Sequence, residues 1–221
     1  MKGKFVVIEG TDGSGKATQL ELLKSWAIKS GIKIKTDDYP HYQNFWGNLI
    51  GRMQMGEFGD PVKITPYLTC LPYMIDEYFG GLQIKKWVKQ GYLVLSNRYF
   101  TSNVHQIGKL SGRLKNKFRE WLWEAGWNKM RIYKPDLVIV LYLPPEISMK
   151  LSLKKGWRDY TKGKKRDLVE RNYQYQKQAS KEYLRMCKTQ KNWVLVKCSS
   201  RGKIFPPEKI HKEIVKILKE K

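Results

Sequence analysis

The sequence predicts an α/β fold: a doubly wound sheet of about five parallel strands between helices, in three layers. Short runs rich in Val, Leu and aromatic residues alternate along the chain with helical patterns. These runs are apolar on both faces, which is typical of parallel strands covered by helices on both sides. With 221 residues, 41% of them hydrophobic, and no long linker, the chain is expected to form a single domain over residues 1–221.

Four central strands and one edge strand are predicted. The central strands are Phe5–Ile8, Tyr92–Leu95, Leu137–Leu143 and Trp193–Val196. The run Ile32–Thr36 alternates apolar and polar residues, so we expect it at a sheet edge. Helical patterns fill the intervals, at residues 18–30 (closed by Gly31), 45–55, 65–90 with breaks, 113–126, 145–153, 167–190 and 207–219.

The first strand leads directly into the glycine-rich stretch "GTDGSGKAT". Gly10, Gly15 and Lys16 have the G-x-x-x-x-G-K spacing of a phosphate-binding loop, and an amphipathic helix begins directly after them. Glycines let successive backbone N–H groups point inward, and the amino end of the helix adds partial positive charge. We therefore expect ATP to bind here, with Lys16 at the outer phosphates, through Gly10, Thr11, Asp12, Gly13, Ser14, Gly15, Lys16, Ala17 and Thr18.

Asp12 is an unusual residue for a phosphate-binding loop. A carboxylate beside phosphates is repelled by its ligand unless it binds a sugar hydroxyl or a metal-bound water. Asp12 therefore predicts a second, acceptor nucleotide next to ATP.

A basic segment lies between two helical patterns. Seven of the thirteen residues from Lys154 to Arg166 are Lys or Arg. An exposed basic loop can close over ATP and donate hydrogen bonds to the oxygens on which charge accumulates during transfer. We predict a lid over residues 154–167 with Arg158 and Arg166 as donors; a solvated charged loop is the alternative.

The chain carries 43 Lys and Arg against 20 Asp and Glu, a net charge of +23. Such a surface attracts polyanions, so nucleic acid is a possible partner. It is not the favoured one, because no basic helix with base-reading side chains and no repeat of stacking aromatics is present in the sequence. We attribute most of the excess to Lys on solvated helix faces.

No membrane span is expected, because no apolar run approaches the roughly 20 residues a span needs. No signal peptide is expected either, because the first apolar run has only four residues and no small-residue cleavage site follows it. The expected location is the cytoplasm. The three cysteines, Cys70, Cys187 and Cys198, are too scattered for a disulfide framework and are expected to be reduced thiols.

Taken together, these segments resemble the thymidylate kinases, a family of P-loop nucleoside-monophosphate kinases. The resemblance spans nearly the whole chain and lies in "IEGTDGSGKATQ", "YPHY" (39–42), "SNRYFTSN" (96–103), "KPDLVIVLYL" from Lys134 and the basic segment ending in "DLVE" (167–170). It implies phosphorylation of dTMP to dTDP by ATP with Mg²⁺, by a homodimer that pairs through helices flanking the sheet. The alternatives are a kinase for another deoxynucleoside monophosphate, or a basic P-loop protein that binds nucleotides or nucleic acid with weak catalysis.

The resemblance also assigns roles to single residues. It places Asp12 at the acceptor's 3'-hydroxyl, Arg98 at the transferring and acceptor phosphates, Tyr73 against the base and Pro40 in the turn that shapes the pocket. Alternatively, Arg98 is a surface ion-pair partner and Tyr73 belongs to the helix core. The catalytic set is then Lys16, Arg98, Asp12 and the lid residues Arg158 and Arg166, and the remaining substrate contacts are Ser102, Asn103 and Gln106, with His105 as a rival to Gln106.

Two departures from the family pattern concern the metal. Ala17 stands where Ser or Thr usually helps to hold Mg²⁺, and Asn97 stands where Asp usually precedes the arginine. We therefore predict no direct protein ligand for Mg²⁺ and a contact from Asn97 through water, because Mg²⁺ is often bound chiefly through substrate phosphates. An inactive nucleotide binder is the alternative.

Two further departures concern the acceptor. Tyr42 replaces the arginine that commonly grips the acceptor phosphate, and Arg52 in the next helix is a candidate to compensate. Glu77 replaces an arginine that faces the base. Because thymine O4 is itself an acceptor, Glu77 either faces away from the base or favours a different one.

Overall fold

The computed structural model describes residues 3–152 and 167–221. Its main sheet consists of five parallel strands: β1 (Lys4–Glu9), β2 (Ile34–Asp38), β3 (Leu93–Asn97), β4 (Leu137–Tyr142) and β5 (Trp193–Lys197). Their order across the sheet is β2-β3-β1-β4-β5. The predicted α/β fold with a parallel sheet of about five strands is therefore confirmed. The strand predicted at Trp193–Val196 is an exception in its position, because among the described strands β5 pairs only with β4 and lies at an edge and not in the centre.

Helices pack on both faces of this sheet. They are α1 (Lys16–Lys29), α2 (Phe45–Gln54), α3 (Pro66–Lys89), α4 (Val104–Ile107), α5 (Gly112–Trp123), α6 (Pro145–Ser152), α7 (Leu168–Arg171), α8 (Tyr173–Thr189) and α9 (Pro207–Glu220). A 3₁₀ turn covers Phe100–Asn103, a π-helical turn covers Glu124–Lys129, and a short hairpin is formed by β6 (Ser199–Ser200) and β7 (Lys203–Ile204).

The central strand β1 divides the core into two halves. Phe5 and Val7 are fully buried and belong to the hydrophobic cluster that contains residues of α3, α5 and α8. Val6 and Ile8, equally buried, belong to the opposite cluster, which contains residues of α1 and α9. Alternate side chains of a strand point to opposite faces, so this all-apolar run places β1 in the middle of three layers.

Three of the differences between the observed and the predicted element boundaries bear on the site. β2 occupies Ile34–Asp38 instead of Ile32–Thr36, because its pairing with β3 runs from Ile34 to Asp38. α3 continues through Pro72 without a break, and its buried side chains on either side of Pro72 include Cys70 and Met74. The predicted helix 167–190 is divided into α7 and α8, because the side chain of Asn172 caps α8 by accepting from the Tyr175 N–H at 2.9 Å.

The carboxyl ends of β1, β2 and β3 lie next to one another at one edge of the sheet, and these strands end at Glu9, Asp38 and Asn97. In open α/β sheets, ligands bind in the crevice at this edge. Among the described residues, no helix is long and apolar enough to cross a membrane.

Candidate active site

The loop between β1 and α1 forms the floor of the site. Gly13 has φ +82°, and a Cβ at this position would lie 2.0 Å from the Ser148 carbonyl oxygen, so only glycine fits. Gly15 caps α1 in the left-handed conformation. The Lys16 Nζ donates to the carbonyl oxygens of Gly10 and Thr11, both at 3.0 Å, which holds the ammonium directly over the loop.

Arg98 follows β3 and reaches across to Asp12. Its Nη2 lies 2.6 Å from Asp12 Oδ1, and its backbone has φ +65°, a conformation that non-glycine residues rarely adopt. Asp12 Oδ2 accepts a second hydrogen bond, from Gln176 Nε2 on α8, at 3.0 Å. The carboxylate of Asp12 therefore joins three segments: its own loop after β1, the residue that follows β3, and helix α8.

A second carboxylate lies beneath this junction. Glu9, the last residue of β1, is fully buried and accepts from Thr101 Oγ1 at 2.6 Å, from Ser102 Oγ at 2.8 Å and from Tyr183 OH at 2.6 Å. Buried carboxylates require such partners. Ser102 in turn accepts a long hydrogen bond from Arg98 Nη1 at 3.4 Å, so Glu9 fixes the position of the turn that carries Ser102 beside Arg98.

A cavity of about 610 Å³ opens over this frame. Most of the residues that the sequence predicted for the site line it together: Asp12, Gly13, Gly15, Lys16, Ala17, Thr18, Pro40, Tyr42, Tyr73, Asn97, Arg98, Ser102, Asn103 and Gln106. Gly10, Thr11 and Ser14 belong to the loop but not to the cavity lining. Arg158 and Arg166 lie outside the described residues; the described end of the predicted lid contributes Asp167, which caps α7 by accepting from the Glu170 N–H at 2.8 Å.

Arg52 does not reach the cavity. Its guanidinium pairs with Glu57 and lies 5.1 Å from the centre of the Phe58 ring, with 46% of the side chain exposed. Instead, a hydrogen-bonded chain joins the two predicted tyrosines: Tyr42 OH donates to Gln54 Oε1 at 3.0 Å, and Gln54 Nε2 donates to Tyr73 OH at 2.8 Å. Gln54 lines the cavity and carries no sequence signal of its own.

Glu77 faces away from the cavity. Only 2% of it is exposed, and both of its carboxylate oxygens face the Nδ2 of Asn103. Burial, followed by the negative charges of Asp76 and Glu9, raises the pKa of Glu77 well above its usual value. Of the two alternatives that the sequence left open for Glu77, the structure favours the one in which it does not touch the base.

His105 and Gln106, the two candidate contacts to the base edge, differ in their hydrogen bonds. His105 Nε2 lies 3.1 Å from Tyr183 OH, and burial lowers the pKa of His105 to about 3, so the ring is neutral and engaged with the hydroxyl that also binds Glu9. Gln106 is 6% exposed, and its Oε1 finds no hydrogen-bond partner in the described part of the chain. Gln106 is therefore the better placed of the two to bind a ligand.

Asp38 is a site residue that the sequence did not indicate. It is the paired neighbour of Asn97 across β2 and β3, and Asn97 Nδ2 donates to its Oδ1 at 2.8 Å. Desolvation at the cavity wall raises the pKa of Asp38, while Arg98, the bond from Asn97 and Lys16 act in the opposite direction. The predicted strand ended at Thr36, two residues short of this position, so only the observed register brings the pair together.

Ion pairs of His41 hold the turn after β2 against α3. His41 Nε2 lies 2.7 Å from Asp37 and its Nδ1 lies 3.1 Å from Asp76, while the His41 N–H donates to Asp76 at 2.9 Å. Burial disfavours the imidazolium, but the two carboxylates raise the pKa of His41 to about 10. The charged ring fixes Pro40 and Tyr42 on either side of it.

Comparison with known proteins agrees with this geometry. A sequence profile described as thymidylate kinase matches residues 8–214. The probable thymidylate kinase of Thermococcus onnurineus is 37% identical over 152 residues, 66% of this chain and 69% of that protein. The thymidylate kinase of Caldicellulosiruptor saccharolyticus is 29% identical over 193 residues, 83% and 85% of the two chains.

The fold has a solved counterpart as well. The structure of the thymidylate kinase from Candida albicans superposes with a TM-score of 0.73, covering 99% of this chain and 92% of that one at 21% sequence identity. From the profile match across residues 8–214 and the identity with the archaeal relative, the chain belongs to the thymidylate kinase family of nucleoside-monophosphate kinases.

Proposed function

We propose that the cavity binds ATP and dTMP side by side and that the residues of its floor transfer the γ-phosphate to give dTDP. The observation that carries this assignment is the contact between Asp12 and Arg98, 2.6 Å apart, beside the loop that contains Lys16. This contact supports a boundary between the two nucleotides at which the carboxylate would bind a sugar and the guanidinium would bind phosphates.

The donor half of the site is the loop from Gly10 to Thr18. Backbone N–H groups of this loop and the amino end of α1 bind the phosphates, and Lys16 exchanges its carbonyl partners for β- and γ-phosphate oxygens. The lid arginines Arg158 and Arg166 remain proposed donors to the same oxygens. They would act on charge that develops during transfer, which is where such contacts accelerate the reaction.

The acceptor half lies between α2, α3 and the turn at Phe100–Asn103. Arg98 binds the acceptor phosphate, Asp12 binds the 3'-hydroxyl, and Tyr73 lies against the base. The neutral side chains of Tyr42 and Gln54, which are hydrogen-bonded to each other, close the phosphate side. The attacking phosphate oxygen is already anionic and needs no general base. Rate therefore depends on alignment and on charge neutralisation.

Magnesium fits this site through water. Asn97 Oδ1 is a buried oxygen without a hydrogen-bond partner among the described residues, and Asp38 lies beside it, whereas Ala17 offers no ligand. Within those residues no cluster of three or more His, Cys, Asp or Glu side chains forms a direct metal site. Asn97 and Asp38 would hold water molecules of Mg²⁺, which when bound neutralises charge on the ATP phosphates.

The assignment is tested by ADP release in a coupled assay with dTMP, dUMP, dCMP, dGMP and dAMP. We expect dTMP to be preferred, and Lys16→Ala and Arg98→Ala each to lower turnover by at least about tenfold, because each removes a charge that the transition state needs. Lys24→Ala, an exposed lysine of α1, is the matched control. Turnover near that of the wild type in both site variants would contradict the assignment.

We also propose that the protein is a homodimer that pairs through α3. Leu68, Leu71, Phe79 and Leu82 are 42–60% exposed and share one face of this helix. Exposed apolar side chains that cluster in this way are typical of an interface. In sedimentation experiments Phe79→Glu should shift the protein to monomer, while Leu114→Glu, an equally exposed leucine of α5, should not. A monomeric wild type would contradict the proposal.

A further inference from the structure

The wall of the acceptor pocket contains an amide with a carboxylate behind it. Asn103 lines the cavity although only 3% of it is exposed. Its Nδ2 donates to Glu77 Oε2 at 3.0 Å and to the Phe100 carbonyl oxygen at 3.1 Å, with Glu77 Oε1 at 3.4 Å. Both N–H bonds of this amide are therefore used on the protein side.

These contacts fix which end of the amide faces the ligand. If the amide were reversed, Oδ1 would lie against a carboxylate and a carbonyl oxygen, and the Phe100 carbonyl has no proton to donate whatever the protonation state of Glu77. The observed orientation is thus the only one in which the buried donors and acceptors match. Asn103 Oδ1 accepts no hydrogen bond within the described part of the chain, and it is the atom that this side chain has available for a ligand.

An acceptor at the position of Asn103 Oδ1 discriminates between pyrimidines. Position 3 of thymine carries N–H, a donor, whereas position 3 of cytosine is a bare nitrogen, an acceptor. An acceptor facing an acceptor leaves both groups unpaired, and buried unpaired groups are what make a hydrogen-bonding site selective. Gln106, which also lines the cavity, has a buried Oε1 without a partner among the described residues.

We infer that Glu77 is a positioning residue for base selection: by holding Asn103 Nδ2 it presents Asn103 Oδ1 to the ring N–H of thymine and disfavours cytosine. Glu77 stands where the resemblance places an arginine facing the base. In this chain Asn103, which lines the pocket, makes the contact to the base, and Glu77 acts on it from behind. The inference rests on the proposed function, because it assumes that the base of the acceptor lies against Asn103.

The experiment compares dTMP with 5-methyl-dCMP, which has the same methyl group and ring size and differs only at ring positions 3 and 4. Glu77→Met removes the acceptor with similar volume, and Glu77→Gln retains an acceptor oxygen for Asn103 Nδ2. Glu182→Gln, at a buried carboxylate of α8 that pairs with Lys115 and Arg119, is the control. Affinities by calorimetry and the ratio of kcat/KM for the two nucleotides are measured for each protein.

We expect the wild type to favour dTMP by at least about tenfold. Glu77→Met should reduce that preference by about tenfold through KM. Glu77→Gln and the control should retain it within about threefold. An unchanged preference in Glu77→Met, or equal losses for both nucleotides, overturns the inference and leaves Glu77 a structural residue. If Glu77→Met does not fold, Asn103→Ala is tested in its place. Because this variant loses the acceptor oxygen itself, its preference for dTMP over 5-methyl-dCMP must also fall.

Failure of the proposed function is a separate outcome. A wild-type protein that phosphorylates 5-methyl-dCMP as well as dTMP overturns the inference but leaves a monophosphate kinase. A wild-type protein without turnover on any monophosphate removes the proposed function, and calorimetric preference for dTMP over 5-methyl-dCMP then decides the inference alone.

Discussion

The magnesium site offers a test in which a single charge is removed and then returned from the neighbouring strand. Asp38 and Asn97 are paired across β2 and β3 and joined by a 2.8 Å hydrogen bond. Exchanging their side chains, as Asp38→Asn with Asn97→Asp, keeps the carboxylate–amide pair and moves the charge by one strand. The single variant Asp38→Asn removes the charge altogether.

The size of the effect follows from the exposure of the pair. Groups that act on a metal through its bound ligands typically contribute tenfold to hundredfold to metal affinity. The cavity wall partly desolvates Asp38, but the residue remains accessible to solvent, and Asn97 Oδ1 remains in the single variant, so the lower end applies. We expect Asp38→Asn to weaken Mn²⁺ binding in the presence of ADP by about tenfold and the exchanged pair to restore it to within about threefold.

The measurement is electron paramagnetic resonance of free Mn²⁺, titrated with protein and ADP, which needs no turnover. ADP affinity without metal should be unchanged in Asp38→Asn, since Lys16 and the loop amides remain. Glu21→Gln, which removes one exposed carboxylate from α1, should behave as the wild type. Equal Mn²⁺ affinities in the wild type and Asp38→Asn would show that Asp38 plays no part in holding the metal.

Two further predictions concern stability. Because the folded pKa of His41 is raised from 6.5 to about 10 by Asp37 and Asp76, its stabilising contribution is complete below pH 6.5 and is lost as pH rises toward 10. The Tm difference between the wild type and His41→Asn should therefore narrow between pH 6.5 and about pH 10. A constant difference would contradict a stabilising ion pair at His41. Tyr183→Phe removes the 2.6 Å hydrogen bond to buried Glu9 and should lower the free energy of unfolding by about 1–3 kcal/mol in denaturant titrations. A change below about 0.5 kcal/mol would mean that Thr101 and Ser102 satisfy Glu9 without it.

The fold and the floor of the site were predictable because their signals are local. A buried apolar run followed by glycines and Lys16 specifies a strand, a phosphate-binding loop and a helix within some 25 residues. Arg98 was equally accessible, because it follows a strand whose apolar character is plain from the sequence. Each of these assignments needs only the order of neighbouring elements.

The contacts that the sequence did not indicate depend on how segments far apart in the sequence align with one another. Asp38 and Asn97 are 59 residues apart, and their contact exists only because β2 pairs with β3 two residues later than its alternation suggested. Glu77 lies behind Asn103 because α3 continues through Pro72, which fixes the phase of every side chain after it. The expectation that Arg52 reaches the acceptor phosphate failed for a local reason, because its guanidinium pairs with a nearby carboxylate on an exposed loop.

The position of Lys16 bears on how quickly products leave. Its ammonium already has two backbone oxygen partners at 3.0 Å, so an arriving polyphosphate replaces existing bonds and does not simply add new ones. The net gain on association is therefore smaller than the number of contacts suggests, and the same carbonyl groups are ready to take the ammonium back when ADP dissociates. A catalyst that exchanges partners in this way avoids being trapped by its own product.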